Sequence, residues 1–133
     1  MTNLVFFYGT LMSGFRRPGR TRLDQALKPL GRAWISAALF DLGIYPAAIP
    51  ASDGHVWGEV HEMTAPEPVL LTLDEIEGYN RKEPEASLYR RVEAPVTFED
   101  GHTDSAWVYF YNAPLGRAER IASGDYLQHL KVK

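Results

Sequence analysis

The chain has 133 residues, 45% of them hydrophobic, 23% charged and 12% aromatic, with a net charge of −3. This describes one domain, 1–133, able to bury roughly 65–70% of its unfolded surface; the mild acidity leaves no electrostatic footprint for nucleic acid or an anionic membrane. Cysteine is absent, which removes disulfides, thiolate nucleophiles and Cys-ligated zinc, and no apolar run approaches the ~20 residues of a membrane span. With no charged-then-apolar leader at the N-terminus, a cytoplasmic protein is expected.

Taken in chain order, residues 3–8 read as a buried strand, a short apolar run with Val5, Phe6 and Phe7. Residues 12–32 are a polar, Arg-rich connection with a short helix expected around 23–27. A second strand is expected over 34–42, with Ile35, Ala37 and Leu39 on one face. The stretch 45–50, YPAAIP, holds two prolines and is expected not to form a central strand. Residues 55–63 alternate again, Val56, Gly58 and Val60 against Trp57 and Glu59.

The clearest helix is 64–78. Thr64 and Glu67 have capping-box spacing, Pro66 and Pro68 fall in the first turn, and Gly78 suits the position past the C-terminus. Strands over 88–98 and 105–112 follow, joined by the turn Glu99-Asp100-Gly101-His102. A tail helix interrupted at Gly124 is expected within 117–133. Five or six strands with one firm helix and mostly antiparallel connections imply a curled sheet or small barrel with a helix packed on it.

One residue breaks the helical pattern. Val69, Leu70, Leu73 and Ile76 form an apolar stripe at ~100° per residue, and Glu77 falls inside it while Glu75 points away. A helix C-terminus disfavours negative charge, yet this last turn holds Asp74, Glu75 and Glu77. Burial, the helix dipole and Asp74 together are expected to raise the Glu77 pKa, as a general base working near neutral pH requires. The other reading is a structural one, with Glu77 paired to Arg90 or Arg91 or capping a loop.

Tyr8-Gly9-Thr10-Leu11 at the end of the first strand, Leu73-Asp74-Glu75-Ile76-Glu77-Gly78 and then Tyr89-Arg90 occur in an order that resembles the γ-glutamylcyclotransferase-like family, more narrowly its γ-glutamylamine cyclotransferase and AIG2-like branch. Tyr45-Pro46-Ala47, Gly58-Glu59-Val60 and Trp107-Val108-Tyr109 agree in order, so the resemblance covers nearly the whole chain. It implies an α+β fold: a small mixed, mostly antiparallel β-barrel with flanking helices. It also implies release of 5-oxoproline and a free amine, by attack of the substrate's α-amine on its own γ-carbonyl. The resemblance makes Glu77 the proton acceptor and Tyr8, Gly9, Thr10 and Leu11 the substrate-binding segment. Tyr89 is expected as a cavity wall, with Tyr45 and Pro46 at the cavity mouth.

Glycine at position 9 fits that role, because backbone N–H groups without a Cβ nearby can approach a carboxylate or a developing oxyanion. Since the nucleophile belongs to the substrate, no cofactor and no metal are expected, and His55, His61, His102 and His129 lack metal-ligand spacing. Phe15 replaces the lysine of a P-loop after Gly9 and Gly14. Arg16, Arg17, Arg20 and Arg22 read either as a guide for an anionic substrate or as a solvated basic loop. Tyr109 and Tyr111 are expected as core. The alternative functions are a catalytically idle AIG2-like small-molecule-binding or stress-response module and hydrolysis of another small amide.

Overall fold

The computed structural model describes residues 2–9, 25–43 and 45–131. Among them the order is β1 (Leu4–Phe7), β2 (Leu27–Asp41), β3 (Pro46–Met63), α1 (Pro66–Glu77), a 3₁₀ turn (Pro84–Ala86), β4 (Tyr89–Phe98), β5 (Thr103–Tyr111), β6 (Glu119–Arg120) and α2 (Tyr126–Lys131). The strands lie in the order β3-β1-β5-β4-β2, and β2 pairs again with β3. That last pairing closes the sheet into a five-stranded barrel, and β6 adds to β2 as an extra strand. Only β1 and β5 run parallel. Closure removes the free edges that an open sheet must protect.

β1 is apolar throughout because it is sandwiched between β3 and β5 and covered on both faces, with all four of its residues buried. The alternation in β2 and β3 is as the sequence reads: Ala33, Ile35, Ala37 and Leu39 on one strand and Val56 and Val60 on the other are buried. Gly58 completes that inward row, where a Cβ would stand 2.1 Å from the carbonyl oxygen of Phe7. Glycine here lets β1 and β3 come together at all.

Four expectations need correction. β2 begins at Leu27, seven residues earlier than read, carried past Pro29 and Gly31 by a register shift. The 45–50 stretch is not excluded from the sheet: Pro46 to Pro50 pair with Asp41 to Ala37. Its prolines are tolerated because residues 46, 48 and 50 aim their backbone nitrogens away from β2; the N–H of Ala48 reaches a side chain instead, the Tyr8 hydroxyl at 3.4 Å.

The capping box does not form, since Ala65 is the N-cap of α1 and makes no side-chain cap bond. The Thr64 hydroxyl donates to the Ala26 carbonyl, tying the helix entry to the residue before β2. The tail supplies β6 and α2, with Gly124 before the helix at φ 68°. Of the helix expected around 23–27, residues 25 and 26 are helical, Leu27 already belongs to β2, and 23 and 24 lie outside the described residues. The other described elements match closely, including Gly78 as a left-handed cap and the 99–102 hairpin turn with Gly101 at φ 92°.

The two kinds of glycine make a test. Gly58→Ala pushes a methyl into a backbone carbonyl at the β1–β3 seam and is expected to lose about 2–3 kcal/mol. Gly101→Ala meets no atom within 4 Å and carries only positive-φ strain, about 1 kcal/mol. Urea unfolding of both variants compares them directly; a smaller loss for Gly58→Ala contradicts this account of the seam.

Candidate functional site

Helix α1 lies over the β4–β5 pair with a buried face different from the expected stripe. Val69, Leu70, Leu73 and Asp74 are buried, whereas Ile76 is 37% exposed. At ~100° per residue the buried arc therefore runs from Val69 round to Asp74, and Glu77 points along its middle. Glu77 sits on the last turn and is half-buried, while Glu75 is exposed. Gly78 then reverses the chain in the left-handed conformation, and the Tyr79 N–H closes on the Asp74 carbonyl at 2.8 Å.

Asp74 is the residue the sequence reading undervalued. Its Oδ1 accepts from Arg91 Nε at 2.8 Å and from the Tyr109 hydroxyl at 2.6 Å; its Oδ2 accepts from Arg81 Nε at 3.1 Å. Arg91 and Tyr109 stand directly opposite each other on β4 and β5. The Arg91 guanidinium, 4.5 Å above the Trp107 ring, thus belongs to Asp74, and Arg90, the other arginine considered for Glu77, is exposed. The Asp74 carboxylate on the last turn of α1 is thus compensated by two guanidiniums.

Three tyrosines converge on the same end of the barrel. Tyr8, just past β1, donates its hydroxyl proton to the Tyr109 carbonyl and accepts from the Ala48 N–H. Tyr89, at the start of β4, donates to the Pro46 carbonyl at 2.8 Å and packs between Tyr45 and Tyr111, ring centroids 6.2 and 5.3 Å away. Tyr109 donates to Asp74. All three are buried, so Tyr109 is core, as expected, with its hydroxyl bonded to a carboxylate. Among the described residues no strand pairs with 46 and 48 of β3 on this side, where Tyr89 donates to the Pro46 carbonyl and Tyr8 accepts from the Ala48 N–H.

Gly9 lies against Pro46, whose Cγ would be 2.8 Å from a Cβ added at position 9. Packing by itself therefore demands glycine here. Tyr8, Gly9, Tyr45, Pro46 and Tyr89 come together, with the C-terminus of α1 beside them. Thr10, Leu11 and the arginines from Arg16 to Arg22 lie outside the described residues. The sequence signal for Asp74 was its place in L-D-x-x-E-G, and for Tyr109 its place in Trp107-Val108-Tyr109; Arg91 carried no signal beyond adjacency to Tyr89-Arg90.

Electrostatics link these groups. Burial is the main cause of a raised phenol pKa at Tyr8, with the neighbouring Tyr89 and then the Glu77 charge adding to it. Tyr89 is raised by burial and next by Glu77. Tyr109 is raised by burial, then by its bond to Asp74, with Glu77 a smaller contribution. Each phenol thus responds to the charge of Glu77.

A phenol whose folded pKa lies above its unfolded ~10 holds its proton more tightly in the native state. Its contribution is fully present below pH ~10 and is lost as pH climbs beyond that value. Unfolding free energy is therefore expected to fall steeply above about pH 10. Tyr89→Phe should remove up to about 1.4 kcal/mol per pH unit of that slope, as read by urea titrations at several alkaline pH values. An unchanged slope contradicts the burial of its hydroxyl.

Comparison with known proteins gives the architecture its relatives. A family model described as gamma-glutamyl cyclotransferase, AIG2-like, matches residues 5–128. The chain is 30% identical over 130 residues to the gamma-glutamylcyclotransferase family protein YtfP of Escherichia coli, covering 96% of this chain and 98% of that protein. The solution structure of YtfP superposes with a TM-score of 0.68 at 28% identity, over 95% of this chain and 97% of that one. A mouse AIG2-like protein does so with a TM-score of 0.65 at 26% identity, over 84% and 80% of the two chains. YkqA of Bacillus subtilis shares the fold with a TM-score of 0.73 at 24% identity; the match covers 99% of this chain but only 42% of that longer one. A closed five-stranded barrel with the Tyr8-Gly9 corner facing the last turn of a helix that ends L-D-x-x-E-G, matched along nearly its whole length, places the chain in the γ-glutamylcyclotransferase, AIG2-like family.

Proposed function

We propose that the chain is a γ-glutamyl cyclotransferase that converts a γ-glutamyl amine or peptide into 5-oxoproline and a free amine, with Glu77 as general base and acid. The observation that carries this reading is the donor and acceptor balance beside Glu77. Tyr8 and Tyr89 commit their O–H donors to backbone carbonyls. What their oxygens offer a ligand is lone pairs, next to a carboxylate whose charge they feel. Such surroundings suit an ammonium group that must be held and then deprotonated.

In this mechanism the α-ammonium of the substrate gives a proton to Glu77. The freed amine attacks the γ-carbonyl, forming the C–N bond of a five-membered lactam. The tetrahedral oxyanion collapses and the γ-amide C–N bond breaks as Glu77 returns its proton to the departing amine. The second proton of the attacking nitrogen, which the lactam N–H does not keep, passes to the regenerated Glu77 carboxylate and from it to the released amine, which leaves as an ammonium. The atoms balance without a cofactor, an external nucleophile or a covalent enzyme intermediate.

Orientation contributes most: holding amine and carbonyl together in one molecule is worth ~7–11 kcal/mol in well-oriented intramolecular reactions. Proton transfer adds ~10²–10⁴-fold. Backbone N–H groups of Gly9, Thr10 and Leu11 are the proposed contacts for the substrate, with Tyr45, Pro46 and Tyr89 around it. The substrate side needs no recognition of nucleic acid or lipid, only of a small γ-glutamyl compound.

The test is 5-oxoproline release from γ-glutamyl amines, γ-glutamyl dipeptides and glutathione. Wild type is expected to release it from at least one class, and Glu77→Gln to reduce kcat by at least ~10²-fold with the melting temperature unchanged or higher. Release of glutamate instead of 5-oxoproline identifies hydrolysis. Binding of 5-oxoproline without turnover of any of these compounds identifies a binding module.

A further inference from the structure

Asp74 has no part in the chemistry just described, yet its carboxylate accepts from Arg91, Arg81 and Tyr109 beside the site. We infer that Asp74 is a positioning residue: it pins the last turn of α1 to the β4–β5 pair and so holds Glu77 opposite Tyr8. This rests on the proposed role of Glu77.

The geometry has two arms that start at one carboxylate. Along the helix, Asp74 lies one turn before Glu77, and its backbone carbonyl accepts the Tyr79 N–H that closes the Gly78 cap. Any shift of Asp74 therefore shifts the turn that carries Glu77. Across the sheet, Asp74 fixes the Tyr109 hydroxyl, and the carbonyl of the same Tyr109 accepts the Tyr8 hydroxyl proton. Tyr8 in turn accepts from Ala48 and precedes Gly9. One carboxylate thus sets both sides of the space where the proposed substrate sits.

The pairing has the rigidity the role needs. The Asp74 and Arg91 side chains are 6% and 8% exposed, so water screens this contact little. Arg91 is itself fixed over Trp107. A carboxylate receiving two bonds on Oδ1 and further bonds from Arg81 and Arg91 on Oδ2 has few other orientations. A mere helix anchor on this face could be apolar, like Leu70 and Leu73.

Charge gives a signature that simple unfolding does not share. Among the described residues, the titratable groups that feel the Glu77 charge include Tyr8 just past β1, Tyr89 from β4 and Tyr109 from β5. Asp74, one turn before Glu77, brings with it Arg91 from β4 and Arg81 from the helix exit. Asp74→Asn removes one negative charge and leaves both guanidiniums, so ionised Glu77 is favoured. The acidic limb of kcat/KM is expected to move down by about one pH unit, with kcat/KM at the plateau falling at least tenfold. Tyr109→Phe keeps every charge, so it should lower plateau kcat/KM about tenfold without moving the limb.

Both variants and wild type are to be assayed for 5-oxoproline release across pH, with thermal melts alongside. A folded Asp74→Asn with wild-type plateau and limb overturns the inference. If Asp74→Asn does not fold, Tyr109→Phe decides: kcat/KM within twofold of wild type overturns it. Wild type that turns over no γ-glutamyl compound overturns the proposed function itself, a result distinct from either.

Discussion

A buried carboxylate is expensive to place in a protein unless its partners are built around it, and Asp74 is placed where three elements can supply them. Arg91 from β4, Tyr109 from β5 and Arg81 from the chain after α1 all meet it. Removing one partner of such a buried pair typically costs ~3–5 kcal/mol, because the other charge is left uncompensated. That penalty, more than any net gain from the pair, fixes the rotation and height of α1 on the barrel. An apolar stripe alone would let the helix roll; Ile76, apolar but 37% exposed, shows how far the observed face departs from the stripe of least polarity.

The barrel solves a second problem at the same end. Its strands are of unequal length, so the start of β3 runs on beyond β1 and presents backbone groups with no strand beside them among the described residues. Prolines at 46 and 50 remove two donors, and the tyrosines satisfy two of the rest: Tyr89 bonds the Pro46 carbonyl and Tyr8 the Ala48 N–H. The phenolic protons go to the Tyr109 and Pro46 carbonyls, so what the tyrosine oxygens have left to offer is lone pairs. Structure and proposed chemistry therefore share one set of hydrogen bonds.

The remaining elements frame this end. Gly58 lets β1 approach β3. Among the described contacts of the tail, the Gly124 carbonyl accepts from Trp57, His129 bonds Asp41, and Asp125 pairs with Arg32. These clamp α2 against the long β2–β3 hairpin, and the pKa of Tyr89, raised first by burial, is raised further by the buried Tyr126 of α2. No helix among the described residues is long and apolar enough to cross a membrane.

Much was legible in the sequence because it depends on near neighbours. Strand alternation in β2 and β3, the burial of β1, the Gly78 cap and the 99–102 turn follow from local period and backbone preference, which tertiary contacts here reinforce. The ordered motifs Y-G-T-L, L-D-x-x-E-G and Y-R likewise pointed to the family, and the direction of Glu77 on its helix followed from the wheel. What stayed hidden depends on residues far apart in the chain. Whether Pro46–Pro50 joins the sheet turns on which way its N–H groups face once β2 is alongside. Whether Asp74 adds charge to the last turn or is neutralised turns on Arg91, seventeen positions on, and on Tyr109 beyond it. The Thr64 hydroxyl bonds Ala26 because the fold brings that carbonyl within reach, and so the capping box goes unused. Period and propensity select elements, but a polar side chain chooses its partner by distance in space, and that distance exists only after the barrel has closed.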